Sequence, residues 1–516
     1  MIDFFSLGLE TKYQMKITFI YPDVLLHRLD WTGYFYHGVG LLSSVLKQAG
    51  HQTSLIHITQ PVNKTEFINR VKNEKPDLIG FSSTSHMFPL VKKLTSWLTE
   101  AKIEIPTICG GIHPTIAPEE SIGTEGIDMI CRGEGEASLL ELCQKMENKE
   151  DISTIPNLWI KRNGDIIKNP LRPLLEDLDI LPFPDRDIFS YPTLYSEREG
   201  RGSFLVGRGC PYNCTYCCNH LLRKIYRSEG KPVRFRGVAN IIREIKGVIE
   251  RYPFINSLIF DDDILFLYRK WSEEFAEKYR QEVGLPFRCN ARADVTDEAL
   301  FKSLKKAGCY FVKFGLESGN EEIRYKVLNR HMTDAQIKKA FAMSKKLGLI
   351  TESFNMVGIP CDTPSTILDT IKLNATLGVD TMQISIFQPY PGTDLARRCQ
   401  EQLDLLPGDL ASDFFTPSIL KLTTVSPSQV LMFRDYFRVL VWYYRFLQKL
   451  SPGISKIFIN FSDTILSLGM TSIILNLIYL PLNYVYRKAL FLRLKLKNAQ
   501  RKGTIHSQTE KQSGGG

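Results

Sequence analysis

The chain alternates short apolar segments with helical segments, and nearly every apolar segment ends in glycine, hydroxyl or acidic residues. Strands that alternate with helices predict a doubly wound parallel sheet, whose ligands bind outside the carboxyl ends of the strands. We therefore expect an α/β domain, Rossmann-like or flavodoxin-like, over residues 1–149. Its five predicted strands are Lys16–Tyr21, Gln52–His57, Leu78–Ser82, Pro106–Cys109 and Asp128–Cys131.

A second series of strand-like segments follows over residues 201–402, and each segment again ends in residues suited to binding. This repetition predicts a partial (β/α)6 barrel with its chemistry at the carboxyl rim. Residues 150–200 form a predicted linker that contains a hairpin with an Asn163-Gly164 turn. The six predicted strands of the barrel are Phe204–Val206, Ser257–Phe260, Pro286–Cys289, Tyr310–Phe314, Thr351–Val357 and Met382–Phe387.

Composition narrows the class of protein. A length of 516 residues predicts two or three domains, and 43% hydrophobic with 23% charged residues is typical of globular proteins. The eleven cysteines are scattered and no secretory signal is evident, so we expect a reducing compartment, the cytoplasm. Residues 487–516 carry eight bases and one acid, 8 − 1 = +7, which leaves 9 − 7 = +2 for the rest of the chain. A nearly neutral body argues against a nucleic-acid partner.

Three cysteines, Cys210, Cys214 and Cys217, lie on one short loop after the first predicted barrel strand. Three thiolates can hold three irons of a four-iron four-sulfur cluster and leave the fourth iron open. A zinc loop is the alternative, but zinc sites usually add a second Cys or His pair at a distance. Cys218 and His220 are too close to the loop to serve as that pair. The spacing therefore favours a [4Fe-4S] cluster.

The CxxxCxxC spacing, with Tyr216 just before the third cysteine, resembles the radical S-adenosylmethionine (SAM) enzymes. The resemblance implies that SAM chelates the open iron and that its cleavage gives a 5′-deoxyadenosyl radical. Tyr216 is then counted with the cofactor site. An electron donor such as flavodoxin or ferredoxin is an implied partner.

The acidic and glycine residues at the other barrel strand ends acquire roles from the same resemblance. Asp262 and Asp263 are expected to receive the amino group of SAM, and Glu317 to accept hydrogen bonds from the ribose hydroxyls. Arg292 is expected to bind the SAM carboxylate through a forked hydrogen-bond pair, although an ion pair with Asp294 competes for the same guanidinium.

Two further features of the barrel bear on the cofactor. Gly358 is expected to shape the backbone beside the adenine. The segment Asn329-Arg330-His331 departs from the family, which often has a lysine there, so its cofactor contacts are not assigned. No catalytic residue is assigned beyond the cofactor ligands.

The order of motifs in residues 1–149 resembles the cobalamin-binding domain that precedes the radical domain in one branch of the family. The hydroxyls of Ser82, Ser83 and Thr84 are expected to lie near the nucleotide tail of cobalamin. The side-chain-free Gly110 and Gly111 are expected to admit that tail close to the backbone. No DxHxxG motif is present, so no lower ligand of cobalt is assigned, and a flavodoxin-like domain that binds nothing stays an alternative.

The predicted helical region 403–516 ends in an apolar run, Thr464–Tyr486, followed by a basic segment with interspersed leucines, Arg487–Lys502. An apolar run with a basic flank indicates a helix at an anionic membrane surface. We therefore expect a peripheral location on the inner face of the cell membrane. The alternative is a helical subdomain that packs over the barrel mouth.

Together these features predict a cobalamin-dependent radical SAM enzyme that methylates an unactivated carbon of a hydrophobic substrate, a lipid or a tetrapyrrole. The chain resembles the branch of this family that includes the anaerobic magnesium-protoporphyrin ester cyclases and the lipid C-methylases. Oxidative cyclisation or carbon-carbon bond formation by the same cofactors is a second hypothesis. A membrane-anchored iron-sulfur electron carrier or sensor is a third.

Overall fold

The computed structural model describes residues 14–25, 30–226, 230–402 and 415–468. Two sheets dominate this part of the chain, one in each half of the sequence. The α/β fold expected from the sequence is confirmed, with a Rossmann-like domain, a partial barrel and a helical region in that order. The boundaries at residues 149, 200 and 402 stay predictions.

The first sheet has seven strands in the order β2-β1-β3-β4-β5-β6-β7. Strands β1 to β5 are parallel to one another, and their buried, largely apolar residues are typical of a sheet covered on both faces. The strands are β1 Lys16–Pro22, β2 Gln52–Ile58, β3 Leu78–Ser82, β4 Thr107–Gly110, β5 Met129–Cys131, β6 Leu158–Arg162 and β7 Asp165–Lys168. The helices that cover them are α1 His37–Gln48, α2 Lys64–Glu74, α3 Phe88–Glu100, α4 Ile112–Ile116, α5 Pro118–Gly123 and α6 Glu136–Glu147.

The hairpin predicted in the linker is present as β6 and β7, but it belongs to the first sheet. Strand β6 pairs antiparallel with β5, and Trp159 lies opposite Ile130. Trp159 is almost fully buried in the core on one face of this sheet. The hairpin therefore extends the first domain, because burial of its apolar side chains needs the neighbouring strand.

The second sheet has six parallel strands in chain order, which confirms the partial barrel. Side chains alternate between buried positions under the helices and half-buried positions on the inner face, as in β14. The strands are β8 Arg201–Phe204, β11 Ser257–Phe260, β12 Phe287–Ala291, β13 Cys309–Glu317, β14 Ile350–Val357 and β15 Thr381–Ile386. A short ribbon joins β9 Gly207–Arg208 to β10 Arg234–Phe235. The helices are α7 Cys218–Ile225, α8 Val238–Arg251, α9 Arg269–Glu282, α10 Glu298–Ala307, α11 Asp334–Lys346, α12 Pro364–Leu377 and α13 Asp394–Gln402.

Two helices, α14 Pro427–Leu447 and α15 Pro452–Ser467, form the described part of the C-terminal region. A capping box of Ser426 and Gln429 starts α14, which packs against α12 and β15. Of the predicted tail, only residues as far as Leu468 are described, so most of Thr464–Tyr486 and all of Arg487–Lys502 lie outside the described residues. Among the described helices, none is both long and apolar enough to cross a membrane.

Candidate functional site

A cavity of about 940 Å³ lies between the two sheets, at the carboxyl ends of strands from both. The end of β3, the end of β4 and the turn after β5 line it on the side of the first domain. The cysteine loop and the inner face of the second sheet line the other side. Ligand sites of parallel sheets lie at these strand ends, so the cavity is the candidate site. Its walls include Ser82, Gly110, Glu134, Cys210, Asp261 and Lys313.

The loop that carries the three cysteines begins after β9 and ends at α7. Cys214 is buried, whereas Cys210 and Cys217 are half-buried, and Cys210 lines the cavity. The backbone N–H of Thr215 donates to the Leu328 carbonyl at 3.1 Å. This bond attaches the loop to the segment that follows β13. Within the described ranges, no group of three or more His, Cys, Asp or Glu side chains has the arrangement of a site for a metal ion.

The charges near the loop suit thiolate ligands. Nη1 of Arg330 lies 3.7 Å from Cys214 Sγ, and Nη1 of Arg292 lies 4.0 Å from the same sulfur. Nearby cations stabilise a thiolate. Burial raises the pKa of Cys210 to about 11, whereas a hydrogen bond with Cys218 is the main cause that lowers the pKa of Cys217. A sulfur donor set beside two guanidinium groups fits the predicted iron-sulfur cluster.

Arg330 is a site residue that the sequence did not identify. It is almost fully buried and donates to the Gly315 carbonyl at 2.7 Å and to the Tyr216 hydroxyl at 3.3 Å. Its Nη2 lies 3.9 Å from Oε1 of Glu317. One guanidinium therefore connects the cysteine loop with two predicted cofactor residues. Its only signal in the sequence is the departure at Asn329-Arg330-His331.

Glu317 ends β13 in a left-handed backbone conformation with φ of 64°, which non-glycine residues seldom adopt. The pairing of β13 with β14 is irregular at this point. Burial raises the pKa of Glu317, while Arg330 and a hydrogen bond with Tyr216 oppose that change. The structure thus brings Tyr216 and Glu317 together beside the cysteine loop, as the predicted cofactor site requires.

Arg292 forms the ion pair that competed with its predicted role. Its Nε and Nη2 donate to the two carboxylate oxygens of Asp294 at 3.0 and 2.9 Å, so the fork is occupied within the chain. The guanidinium also lies over the ring of Tyr212, 3.5 Å from its centroid. Nη1, on the side of Cys214, is the nitrogen left for contact with a cofactor. The predicted forked contact with a SAM carboxylate therefore needs a rearrangement of this pair.

The three acids after β11 have different positions. Asp262 lies behind the cavity wall and accepts hydrogen bonds from the backbone N–H groups of Val206 at 3.0 Å and Gly207 at 2.6 Å. Burial raises its pKa to about 7, and these N–H groups act in the opposite direction. Asp263 lines the cavity and accepts a hydrogen bond from Asn219 Nδ2 at 2.7 Å. Of the two predicted acids, Asp263 is therefore the one placed for contact with a cofactor, and Asp262 supports the loop.

Gly358 follows β14 with φ of 73°. A Cβ at this position would lie 3.1 Å from Cγ1 of Val430 on α14. Both the backbone conformation and the close helix therefore require glycine here. Gly358 thus shapes the backbone at the strand end, and its place beside the adenine stays a prediction.

The predicted cobalamin residues fall into two groups. Ser82, Gly110 and Gly111 line the cavity, whereas Ser83 and Thr84 are used inside the first domain. The Ser83 hydroxyl donates to the Thr84 carbonyl at 2.8 Å, and the carbonyls of both residues accept backbone N–H groups. The ends of β3 and β4 therefore present the Ser82 hydroxyl and two glycines to the cavity.

The two domains are joined by an ion-pair cluster at the edge of the cavity. Arg208, two residues before Cys210, contacts Glu134 at 2.8 Å and Glu136 at 2.5 Å in the first domain. Arg234 also contacts Glu134, at 2.8 Å. Burial would raise the pKa of Glu134, but the two arginines lower it to about 2. The base of the cysteine loop is thus fixed to the first domain.

Comparison with known proteins identifies both halves. Residues 33–143 match the B12 binding domain, and residues 204–373 match the Radical SAM superfamily. The chain is therefore a radical SAM enzyme. Within that superfamily it belongs to the cobalamin-binding enzymes, in which a B12-binding domain precedes the radical SAM domain.

The chain is similar to several known proteins over most of its length. An uncharacterised methyltransferase of Pyrococcus horikoshii is 28% identical over 74% of this chain and 82% of its own length. The anaerobic magnesium-protoporphyrin IX monomethyl ester cyclase of Rubrivivax gelatinosus is 24% identical over 81% of this chain and 75% of its own length. Among solved structures, the cobalamin-dependent SAM radical enzyme OxsB is similar in fold, with a TM-score of 0.64 and 16% identity over 88% of this chain and 71% of that chain.

Proposed function

We propose that the protein is a cobalamin-dependent radical SAM methyltransferase that adds a methyl group to an unactivated carbon. The observation that carries the proposal is the shared cavity, because Gly110 of the B12-binding domain and Cys210 of the cysteine loop line the same space. When bound, the [4Fe-4S] cluster with SAM supplies a 5′-deoxyadenosyl radical, and cobalamin supplies the methyl group. A substrate between the two domains can then meet both.

The residues of the chain hold and orient these groups. Cys210, Cys214 and Cys217 hold the cluster, and Arg330 keeps Cys214, Tyr216 and Glu317 in one connected arrangement. Asp263 accepts hydrogen bonds at the cavity wall, while Asp262 fixes the backbone that leads into the loop. The glycines at the end of β4 leave room for a large ligand on the opposite wall.

Anaerobic reconstitution with cobalamin and SAM labelled with deuterium in its methyl group tests this proposal. We expect 5′-deoxyadenosine together with a product that gains one labelled methyl group. The Cys214→Ala variant should form no 5′-deoxyadenosine, and Cys143→Ala, which changes a buried cysteine on α6 of the first domain, is the matched control. Undiminished 5′-deoxyadenosine from Cys214→Ala would remove this cysteine from the mechanism.

Oxidative cyclisation is the second candidate, favoured by the similarity to the magnesium-protoporphyrin cyclase over 81% of the chain. The two reactions differ in product mass. A gain of one methylene per turnover indicates methylation, whereas loss of hydrogens alone indicates oxidation or coupling. The hypothesis of an electron carrier is not retained, because the chain is a radical SAM enzyme.

We propose a substrate with a hydrophobic part and a membrane surface as its source. Support comes from α15, whose exposed face carries Ile457 and Phe461 at 69% and 63% exposure just before the apolar run Thr464–Tyr486. A chain truncated before Arg487 should sediment less with anionic vesicles than the full chain, and equal sedimentation would reject the membrane contact.

An electron donor such as flavodoxin or ferredoxin is the second proposed partner.

A further inference from the structure

Four charged side chains form a row on the inner face of the barrel, across β11 to β14. They follow one another on neighbouring strands, and all four line the cavity. In the order of the sheet the signs are negative, positive, positive, negative. The residues are Glu352 on β14, Lys313 on β13, Arg288 on β12 and Asp261 directly after β11.

The two central cations differ from four arginines that also line the cavity. Arg208 and Arg234 each contact a carboxylate within 3 Å, as do Arg201 and Arg236. Among the described residues, Arg288 has no carboxylate partner: its Nη2 donates to the Tyr310 hydroxyl at 3.0 Å, and its buried Nε has no hydrogen-bond partner.

Lys313 is in a similar position. The acidic oxygen nearest to its Nζ in the described chain is Oε2 of Glu352, at 4.0 Å, which is too long for a hydrogen bond. About a quarter of its side chain, 23%, is accessible. Lys313 and Arg288 thus present N–H groups to the cavity that no carboxylate of the described chain accepts.

The two flanking acids are occupied differently. Asp261 accepts a hydrogen bond from the Ser203 hydroxyl at 2.9 Å, and Glu352 accepts one from the Thr381 hydroxyl at 3.3 Å. Both acids accept these bonds from hydroxyl groups. Within the described chain, neither carboxylate lies at hydrogen-bond distance from Lys313 or Arg288. Nearly half of the Asp261 side chain, 48%, is accessible. The acids therefore flank the central pair without neutralising it by direct contact.

A wholly apolar group in this place would be unfavourable. It would remove water from four charged side chains and give them no hydrogen bond in return. An anionic oxygen group between Lys313 and Arg288 would instead accept charge-assisted hydrogen bonds. Hydrogen-bond donors elsewhere on the same molecule could then meet Asp261 and Glu352.

We infer that Lys313 and Arg288 form a binding site for an acidic group, a carboxylate or phosphoryl group, of the substrate. The inference rests on the proposed function, because it concerns the molecule that the radical reaction modifies. It defines that substrate as an amphipathic acid with its charged end against the barrel strands.

Calorimetric titration of the reconstituted full-length protein at constant ionic strength tests the site. The probes are octanoate, octyl phosphate and octanol, which share one alkyl chain and differ in the head group. We expect octanoate or octyl phosphate to bind about tenfold more tightly than octanol, as for a charge-assisted hydrogen bond. The tighter of the two acids identifies the class of acidic group.

Variants assign that preference to the two cations. Lys313→Met and Arg288→Met should each reduce the ratio of acid to alcohol affinity, and Lys313→Arg should keep it. Lys278→Met is the matched control, because Lys278 lies on the exposed face of α9 and pairs with Glu274. Glu352→Gln removes a flanking negative charge and should tighten octanoate binding while leaving octanol binding unchanged.

Any one of three results overturns the inference. One is equal binding of the acids and the alcohol to the wild-type protein. Another is an unchanged ratio in a Lys313→Met/Arg288→Met double variant. The third is unchanged octanoate binding in Glu352→Gln, which does not depend on the double variant folding. A wild-type protein that forms no 5′-deoxyadenosine would overturn the proposed function instead, and the ratio of affinities would still decide this site.

Discussion

The two walls of the cavity are built differently. At the ends of β3 and β4, the wall from the first domain presents small residues, Ser82, Gly110 and Gly111, and offers space and backbone. The wall from the barrel consists of charged side chains on successive strands, including Asp261 and Lys313. The first wall suits a large ligand held by shape, and the second suits groups recognised by charge and hydrogen bonding. Changes of charge should therefore affect one wall, and changes of volume the other.

The largest effect that we expect concerns Glu197 on the barrel side of the cavity. Its side chain is fully buried, and neither oxygen has a hydrogen-bond partner elsewhere in the described chain. Burial raises its pKa to about 8. Between pH 4.5 and 8 the unfolded chain therefore loses a proton that the folded chain keeps, so stability falls as the pH rises.

Glu197→Gln should remove this loss. Relative to wild type, we expect the variant to gain about 3.5 kcal/mol between pH 5 and pH 8, a few hundredfold in the folding equilibrium. Urea denaturation at both pH values measures it. Glu199→Gln, which changes a half-exposed carboxylate two residues away, should not show this dependence. Equal pH dependence in Glu197→Gln and wild type would show that Glu197 is ionised in the folded protein.

Arg330→Met tests whether the barrel side depends on charge at the cysteine loop. The change leaves Glu317 without its cation and Cys214 without the nearer guanidinium. We expect 5′-deoxyadenosine formation to fall about a hundredfold, as for the loss of a residue that orients metal ligands. Arg330→Lys should recover part of the activity. Lys326→Met, an exposed control, should match wild type, and a fully active Arg330→Met would contradict the assigned role.

Arg208→Met tests the contact between the two walls. Glu134 keeps Arg234 as a partner, but Glu136 loses its ion pair. We expect the free energy of unfolding to fall by about 2 kcal/mol, less than for a fully buried pair because the Arg208 side chain is 23% accessible. Arg269→Met, in an exposed ion-pair cluster, should cost less than about 1 kcal/mol. Equal losses in the two variants would show that the domains are not held together here.

Gly110→Val tests the wall that depends on space. A Cβ at this position would lie 3.7 Å from Cys131 Cβ, an ordinary contact, so the side chain should fit the fold and enter the cavity. We expect cobalamin to bind about tenfold more weakly, with little change in melting temperature. Gly123→Val is the control, since nothing lies within 4 Å of that site. Unchanged cobalamin affinity would place the corrinoid away from β4.

The sequence predicted the two sheets because strand and helix periods are local, and it predicted the cysteine loop because the spacing is local. It did not predict which of Asp261, Asp262 and Asp263 face the cavity, since that depends on the pleat of β11 and on the cysteine loop that Asp262 supports. Arg330 was missed because its partners, Tyr216 and Gly315, are distant in sequence. The sequence placed the hairpin in the linker because its pairing with β5 is a tertiary contact, which local patterns do not reveal.

Helix α7 runs from the cysteine loop to the first domain, a distance of about 12 Å for eight residues. Cys217 directly precedes it, and Tyr226 directly follows it, where the tyrosine hydroxyl accepts a hydrogen bond from the backbone N–H of Glu134 at 3.0 Å. Because this stretch of chain is a single helix of about two turns, the cysteine loop and the turn after β5 cannot move apart unless the helix unwinds or the bond between Tyr226 and Glu134 breaks.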